Sequence, residues 1–256
     1  MKPRLAVHKF SSCDGCQLAL LNAGEPLLQL SEFVTITHFA EAGPLDPDAN
    51  VDISLVEGSI TTAHDVERIK RIREQSRLVI TIGACATSGG LQALRNYAAV
   101  GDWVAGVYAH PEYIQTLPTS TPIRDHIRVD FEIWGCPVNT QQVLTAVRDL
   151  LSGVMPVEES NKVCQECKRR HYTCVMVSQG VACMGPVTRA GCGALCPGVG
   201  RGCYGCYGPA ENCNTESLSR QFQSQGVAAA EIVRHYRYFH STNETFSAAA
   251  KVWDTE

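Results

Sequence analysis

Apolar positions in the first half of the chain come in short runs. Leu5–Phe10 is mostly apolar, Phe33–Phe39 alternates, and Val51–Val56 and Leu78–Ile82 are rich in β-branched residues. Each run predicts a strand, and Val129–Trp134 predicts a last one. Between them Gln17–Leu21 opens a helix, and residues 62–75 carry the charged pattern of a surface helix. Gln141–Leu151 has apolar residues at 143, 144, 147, 150 and 151, the period of a helix face. Strands alternating with helices predict an α/β fold with a parallel, doubly wound sheet. A stretch of Gly, Pro and charge at 152–160 marks a boundary between a first domain, 1–155, and a second, 156–256. Near the end, Ala228–His240 is amphipathic, with Ile232, Val233, Tyr236 and Phe239 on one side, and predicts a packing helix in a C-terminal tail.

Charge and composition narrow the function. Lys+Arg 22 against Asp+Glu 26 gives a net charge of -4, with no basic excess to hold nucleic acid. No apolar run reaches the roughly 18 residues of a membrane span. The first residues lack the pattern of a secretory signal, so the expected location is the cytoplasm. The outlying count is 13 cysteines. An odd number in a reducing compartment argues for metal rather than disulfides.

The cysteines divide as the chain does. Cys13, Cys16, Cys85 and Cys136 lie in the first region, and the other nine fall between 164 and 213. Each of the first four follows a predicted strand. In an open parallel sheet those carboxyl ends share one edge, where ligands bind. Four thiols spread from position 13 to 136 therefore converge on one site, each beside Gly or another small residue that lets a bulky group approach the backbone. Cys₄ sites suit zinc or an iron–sulfur cluster. One close pair plus two distant singles is unlike the two local knuckles of structural zinc, and Cys136-Pro137 fits a cluster site. In the second region Cys192-x-x-x-Cys196-Pro197 and Cys203-x-x-Cys206 have ferredoxin-like spacing.

Six segments, in order, carry a family resemblance: Cys13-Asp14-Gly15-Cys16, Glu57-Gly58-Ser59-Ile60, Gly83-Ala84-Cys85-Ala86, Gly135-Cys136-Pro137, Cys183-Met184-Gly185-Pro186-Val187-Thr188 and Cys203-Tyr204-Gly205-Cys206. The chain resembles the small subunit of a cytosolic nickel–iron hydrogenase, of the NADP-linked sulfhydrogenase delta or F420-non-reducing type. The resemblance implies a flavodoxin-like first domain holding a proximal [4Fe–4S] cluster on Cys13, Cys16, Cys85 and Cys136. It implies an irregular cysteine-rich domain around two more. Cys164, Cys167, Cys174 and Cys183 would hold the distal cluster, with cysteine where export-type members have histidine. Cys192, Cys203 and Cys206 match three medial ligands. Cys196 or Cys213 would complete a medial [4Fe–4S], where the family often holds [3Fe–4S]; Cys196 is preferred. The implied role is relay of electrons between a Ni–Fe site in a large subunit and flavin or iron–sulfur subunits linked to NAD(P) or to F420 and heterodisulfide, during reversible H2 oxidation. This chain would contribute no catalytic residue. The rivals are the iron–sulfur subunit of a related quinone-reducing complex, whose motif has adjacent cysteines, and a zinc-stabilised interaction module.

Other features have simpler readings. Glu57 is placed near the proximal site, shaping the subunit interface. Lys168-Arg169-Arg170-His171 is either a docking loop near the distal site or a solvated basic segment. His8 and His38 read as structural. Gly198–Gly202 lacks the strand–helix context of a nucleotide fingerprint.

Overall fold

The structure is a computed structural model describing residues 2–43 and 45–254. It divides into two compact units, Met1–Pro156 and Val157–Glu256.

In the first unit β1 (Arg4–Lys9), β2 (Thr35–Phe39), β3 (Val51–Glu57), β4 (Ser76–Ile82) and β5 (Phe131–Ile133) form one sheet, ordered β2-β1-β3-β4-β5. All four pairings are parallel. The helices are α1 (Gly15–Leu21), α2 (Glu25–Phe33), α3 (Ala63–Gln75), α4 (Gly83–Ser88), α5 (Val100–Val107) and α6 (Thr140–Leu151).

Alternation along the strands decides which face each residue covers. Leu5, Val7, Ile53, Leu55, Ile80 and Ile82 pack in one core with Leu20 of α1 and with Val143, Ala146 and Val147 of α6. Val56 and Val79 turn to the other face and pack with Phe10 and with Ile69 and Ile72 of α3. Each fully buried aliphatic contributes about 1.5–3 kcal/mol, so the two-faced pattern is what holds the sheet between its helices. Thr62 caps α3 by accepting the Asp65 N–H at 3.1 Å, and the Asp65 carboxylate accepts the Thr62 N–H in return.

The strands differ from expectation at their ends. Phe33 closes α2 rather than opening β2, and α2 itself carries no buried residue. The last strand is three residues rather than six. The Asp130 N–H still donates to the Val79 carbonyl at 2.9 Å, but the Val79 N–H goes to the Asp130 carboxylate at 2.8 Å, which also pairs with Arg73 at 2.5 Å, so regular pairing starts only at Phe131.

The second unit has short helices α7 (Val163–Arg169), α8 (Val175–Gln179) and α9 (Leu195–Gly198), then α10 (Thr215–Ser224), α11 (Ala229–Arg237) and α12 (Glu244–Trp253). Ile232, Val233 and Tyr236 of α11 are buried as their spacing predicts, and pack with Leu218, Phe222 and Phe246. Phe239 lies beyond the end of α11. Among the described residues no helix is long and apolar enough to cross a membrane.

Candidate metal centre

The turn that carries Cys13 and Cys16 is built by pairing β1 with the segment after β3. The Phe10 N–H donates to the Glu57 carbonyl at 2.8 Å, and Ser11 and Ser59 exchange backbone bonds at 3.1 and 2.9 Å. Asp14 takes a left-handed backbone before α1. Lys9 Nζ donates to its carboxylate at 2.7 Å, and Ser12 Oγ donates to it at 3.0 Å.

Glu57 is 2% exposed. Its carboxylate accepts the N–H groups of Cys16 (3.0 Å) and Gln17 (3.3 Å) and the Gln17 side-chain amide (3.1 Å). Burial raises the Glu57 carboxyl pKa, and those bonds oppose the rise. Glu57 is thus held inside this unit, fixing the Cys16 turn.

The other two thiols arrive from neighbouring strands. β4 runs directly into α4, which puts Cys85 on its first turn, and the Cys85 thiol donates to Gln92 Oε1 at 3.1 Å. The Ala84 N–H donates to the Gly135 carbonyl at 2.7 Å, tying the Cys85 helix to the loop of Cys136. A Cβ on Gly83 would lie 2.4 Å from Cys16 Sγ. That position must be glycine for the sulfur to sit against the backbone.

Neighbouring cysteine charges act on Cys16, Cys85 and Cys136. Burial raises the Cys16 thiol pKa, and the charges of Glu57, Cys85 and Cys136 add to the rise. Burial pushes Cys85 up to about 12, reinforced by Cys136, Cys13 and Glu57. Cys136 rises to about 11 from burial, then from Cys13 and Glu57. Buried thiols that raise each other's pKa are poor thiolates by themselves. A multivalent cation reverses that balance, because a coordinated thiol is deprotonated outright. The convergence fits a metal cluster on these four donors.

In the second unit α7 presents Cys164 and Cys167 one turn apart, Cys174 precedes α8, and Cys183 is buried. Burial pushes Cys164 up to about 11, and Cys183, Cys167 and Cys174 add to it. A Cβ on Gly185 would lie 3.4 Å from both Cys164 Sγ and Cys183 Sγ. Of the five remaining cysteines, Cys192 and Cys196 neighbour each other, as do Cys203 and Cys206. Burial raises Cys192, with Glu166 and Cys196 adding to it, and Cys203 responds to Cys183 and Cys206. Cys196 and Cys203 both neighbour Cys183, and the Cys203 N–H donates to Cys183 Sγ at 3.2 Å. Cys213 rises by burial, with Lys162 as the charge that lowers it. Among the described residues no three Cys, His, Asp or Glu side chains close around a single ion.

Glu166 is a functional residue that the sequence reading does not single out. Its carboxylate accepts the N–H groups of Gly191 (2.9 Å), Gly193 (3.0 Å) and Ala194 (3.0 Å), so the acid between Cys164 and Cys167 holds the loop of Cys192. The only signal for it is an acid inside a Cys-x-x-Cys pair that basic residues follow. Of those, Lys168 and Arg169 end α7, and Arg170 caps it.

The family model described as NADH ubiquinone oxidoreductase, 20 Kd subunit, matches residues 13–150. The chain belongs to this family. Sulfhydrogenase 2 subunit delta of Pyrococcus furiosus is 34% identical over 92% of this chain and 98% of its own length. A vhu-type F420-non-reducing hydrogenase subunit of Methanocaldococcus jannaschii is 31% identical over 90% of each chain. Among solved structures, a chain of the NAD+-reducing [NiFe]-hydrogenase in the H2-reduced state superposes with a TM-score of 0.58 at 30% identity, covering 61% of this chain and 95% of that one. The protein is thus a [NiFe]-hydrogenase-related subunit of its family, with the α/β fold of hydrogenase small subunits and a cysteine-rich second region.

Proposed function

We propose that this chain is the electron-transfer small subunit of a cytoplasmic [NiFe] hydrogenase. In this reading Cys13, Cys16, Cys85 and Cys136 hold a proximal [4Fe–4S] cluster. Cys164, Cys167, Cys174 and Cys183 hold a distal one, and Cys192, Cys196, Cys203 and Cys206 a medial one. The observation that carries it is the convergence of four thiols from three strand ends, Cys16 buried, Cys85 and Cys136 half-buried and Cys13 exposed, in a chain whose relatives are named as hydrogenase subunits.

When bound, the clusters supply one-electron transfer, with potentials set by charge, hydrogen bonds to sulfur and exposure. The chain's own residues supply those settings. Burial of Cys16, Cys183 and Cys203 keeps water from the sulfurs. The N–H groups of Cys203 and Gly205 donate to the sulfurs of Cys183 and Cys203, and such bonds stabilise sulfur charge. The Ni–Fe centre belongs to a partner large subunit, and this chain contributes no catalytic residue. A flavin or iron–sulfur partner, linked to NAD(P) or to F420 and heterodisulfide, takes or returns the electrons. The names of the relatives, sulfhydrogenase, F420-non-reducing and NAD+-reducing hydrogenase, support a soluble carrier.

The test is metal analysis of this chain purified anaerobically, with hydrogen-dependent dye reduction by the co-purified complex. About twelve irons per chain with matching sulfide, from three four-iron clusters, together with activity on H2, support the reading. Zinc in place of iron overturns it. Iron and sulfide with quinone-dependent but no hydrogen-dependent activity would assign the chain to the quinone-reducing branch that the family's description names.

A further inference from the structure

We propose that the open cavity bounded by β1, β2 and α3 in the first unit binds a small organic phosphate of nucleotide size. The cavity exists because of the connection between β2 and β3. Its described residues form no helix, and α3 lines the cavity beside the carboxyl ends of β1 and β2. Its volume is about 350 Å³. That is the low end of small-molecule sites and several times what a bare phosphate ion fills. It lies at strand carboxyl ends, the usual ligand edge of an open α/β sheet.

Its walls have the chemistry of an anion site. His8 and His38 line it, 3% and 8% exposed, with rings 4.9 Å apart. Burial keeps both rings neutral, so each offers one N–H. Arg68 and Arg71 add two guanidinium forks. Arg68 stacks on Phe10 at 4.0 Å and donates to the Lys9 carbonyl. Neither arginine forms an ion pair among the described residues. Lys9 does not count as a free cation, because it is paired with Asp14 and Glu41.

The Arg71 fork, the Arg68 donors left beside its bond to Lys9 and the imidazole N–H groups exceed what a carboxylate's two oxygens can accept, and they match a phosphomonoester. Ala40, Pro47 and Ile72 give the apolar surface against which a ring would lie. Asp48 on the lining repels phosphate from its own edge, so the charged end of the ligand turns toward the arginines.

Equilibrium dialysis of the anaerobically purified complex against AMP, pyrophosphate and inorganic phosphate tests this. AMP should bind saturably below millimolar concentration and more tightly than inorganic phosphate. Arg71→Gln, at an exposed position, should weaken AMP at least tenfold while iron content and melting temperature stay unchanged, and His38→Leu should do the same. The proposal is overturned by absence of saturable AMP binding up to millimolar levels, by equal affinity for inorganic phosphate, or by an Arg71→Gln protein that binds AMP as tightly as the parent. If His38→Leu does not fold, the Arg71→Gln result alone decides.

Discussion

The Glu166 carboxylate accepts the Ala194 N–H at 3.0 Å, across 28 residues of chain. With Gly191 and Gly193 on its other oxygen, one side chain closes the loop before α9. Bonds to a charged acceptor contribute about 1.5–3 kcal/mol each, and part of that is shared when several meet on one group. Glu166→Ala should destabilise the second unit by about 3 kcal/mol, read by anaerobic denaturant unfolding. Glu166→Gln keeps an acceptor oxygen and should lose less. Equal stability of all three proteins would refute the role.

Gly83→Ala would press a methyl group to 2.4 Å from Cys16 Sγ. Since both the glycine and the sulfur are buried, neither can yield into solvent. The variant should lose about a third of its iron, four of about twelve atoms, with the signals of the other clusters kept. Full iron content in this variant would separate Cys16 from the proximal site.

In the proposed medial site Cys196 and Cys213 are the two candidates for one ligand position. Cys196 neighbours Cys192 and Cys183, while the charge acting on Cys213 is that of Lys162. Cys213→Ser should leave iron content and low-temperature EPR unchanged. Cys196→Ser should convert or lose one cluster. The opposite pattern would exchange the two assignments.

In the proposed distal site Cys164 takes the place that the family resemblance gives to a histidine in export-type members. Its thiolate puts more negative charge on the cluster than a neutral ring would, and added negative charge lowers a potential. Cys164→His should therefore raise the distal potential in a redox titration. A fall, or no change with the cluster retained, would count against the assignment.

His8 gives a prediction in pH. Burial, then the charges of His38 and Arg68, lower its pKa from 6.5 to about 3. The unfolded chain therefore binds a proton below pH 6.5 that the folded chain refuses until about pH 3. Stability is full above pH 6.5 and is lost progressively as pH falls through that window. At pH 5 the loss is about 2 kcal/mol. The melting temperature of wild type should fall between pH 7 and 5 by more than that of His8→Leu. Parallel profiles would show that His8 titrates normally.

Much of this was legible in the sequence, for physical reasons that also explain the gaps. β1, β3 and β4 are buried on both faces, so their apolar runs stand out with almost correct ends. α2 has no buried residue, hence no stripe to read, and Phe33 passes for the start of a strand. The first four cysteines could be gathered because position after a parallel strand fixes position in space. The second region offers no such rule. There Cys183 sits beside members of both proposed ligand sets, and spacing alone draws no line between them. Glu57 and Glu166 act on amides 25 to 41 residues away, a distance at which sequence carries no pairing signal.

The parallel sheet also sets a timetable. β5 pairs only with β4 and closes the row, so Cys136 cannot reach Cys13 until nearly the whole first unit has been synthesised and has collapsed. Such distant contacts are slow to form. A cluster of the kind proposed for that rim would therefore load only after folding is complete, locking a finished scaffold rather than nucleating one. The cysteines after Val163 lie within a much shorter stretch, and loading there can begin while the polypeptide is still gathering itself.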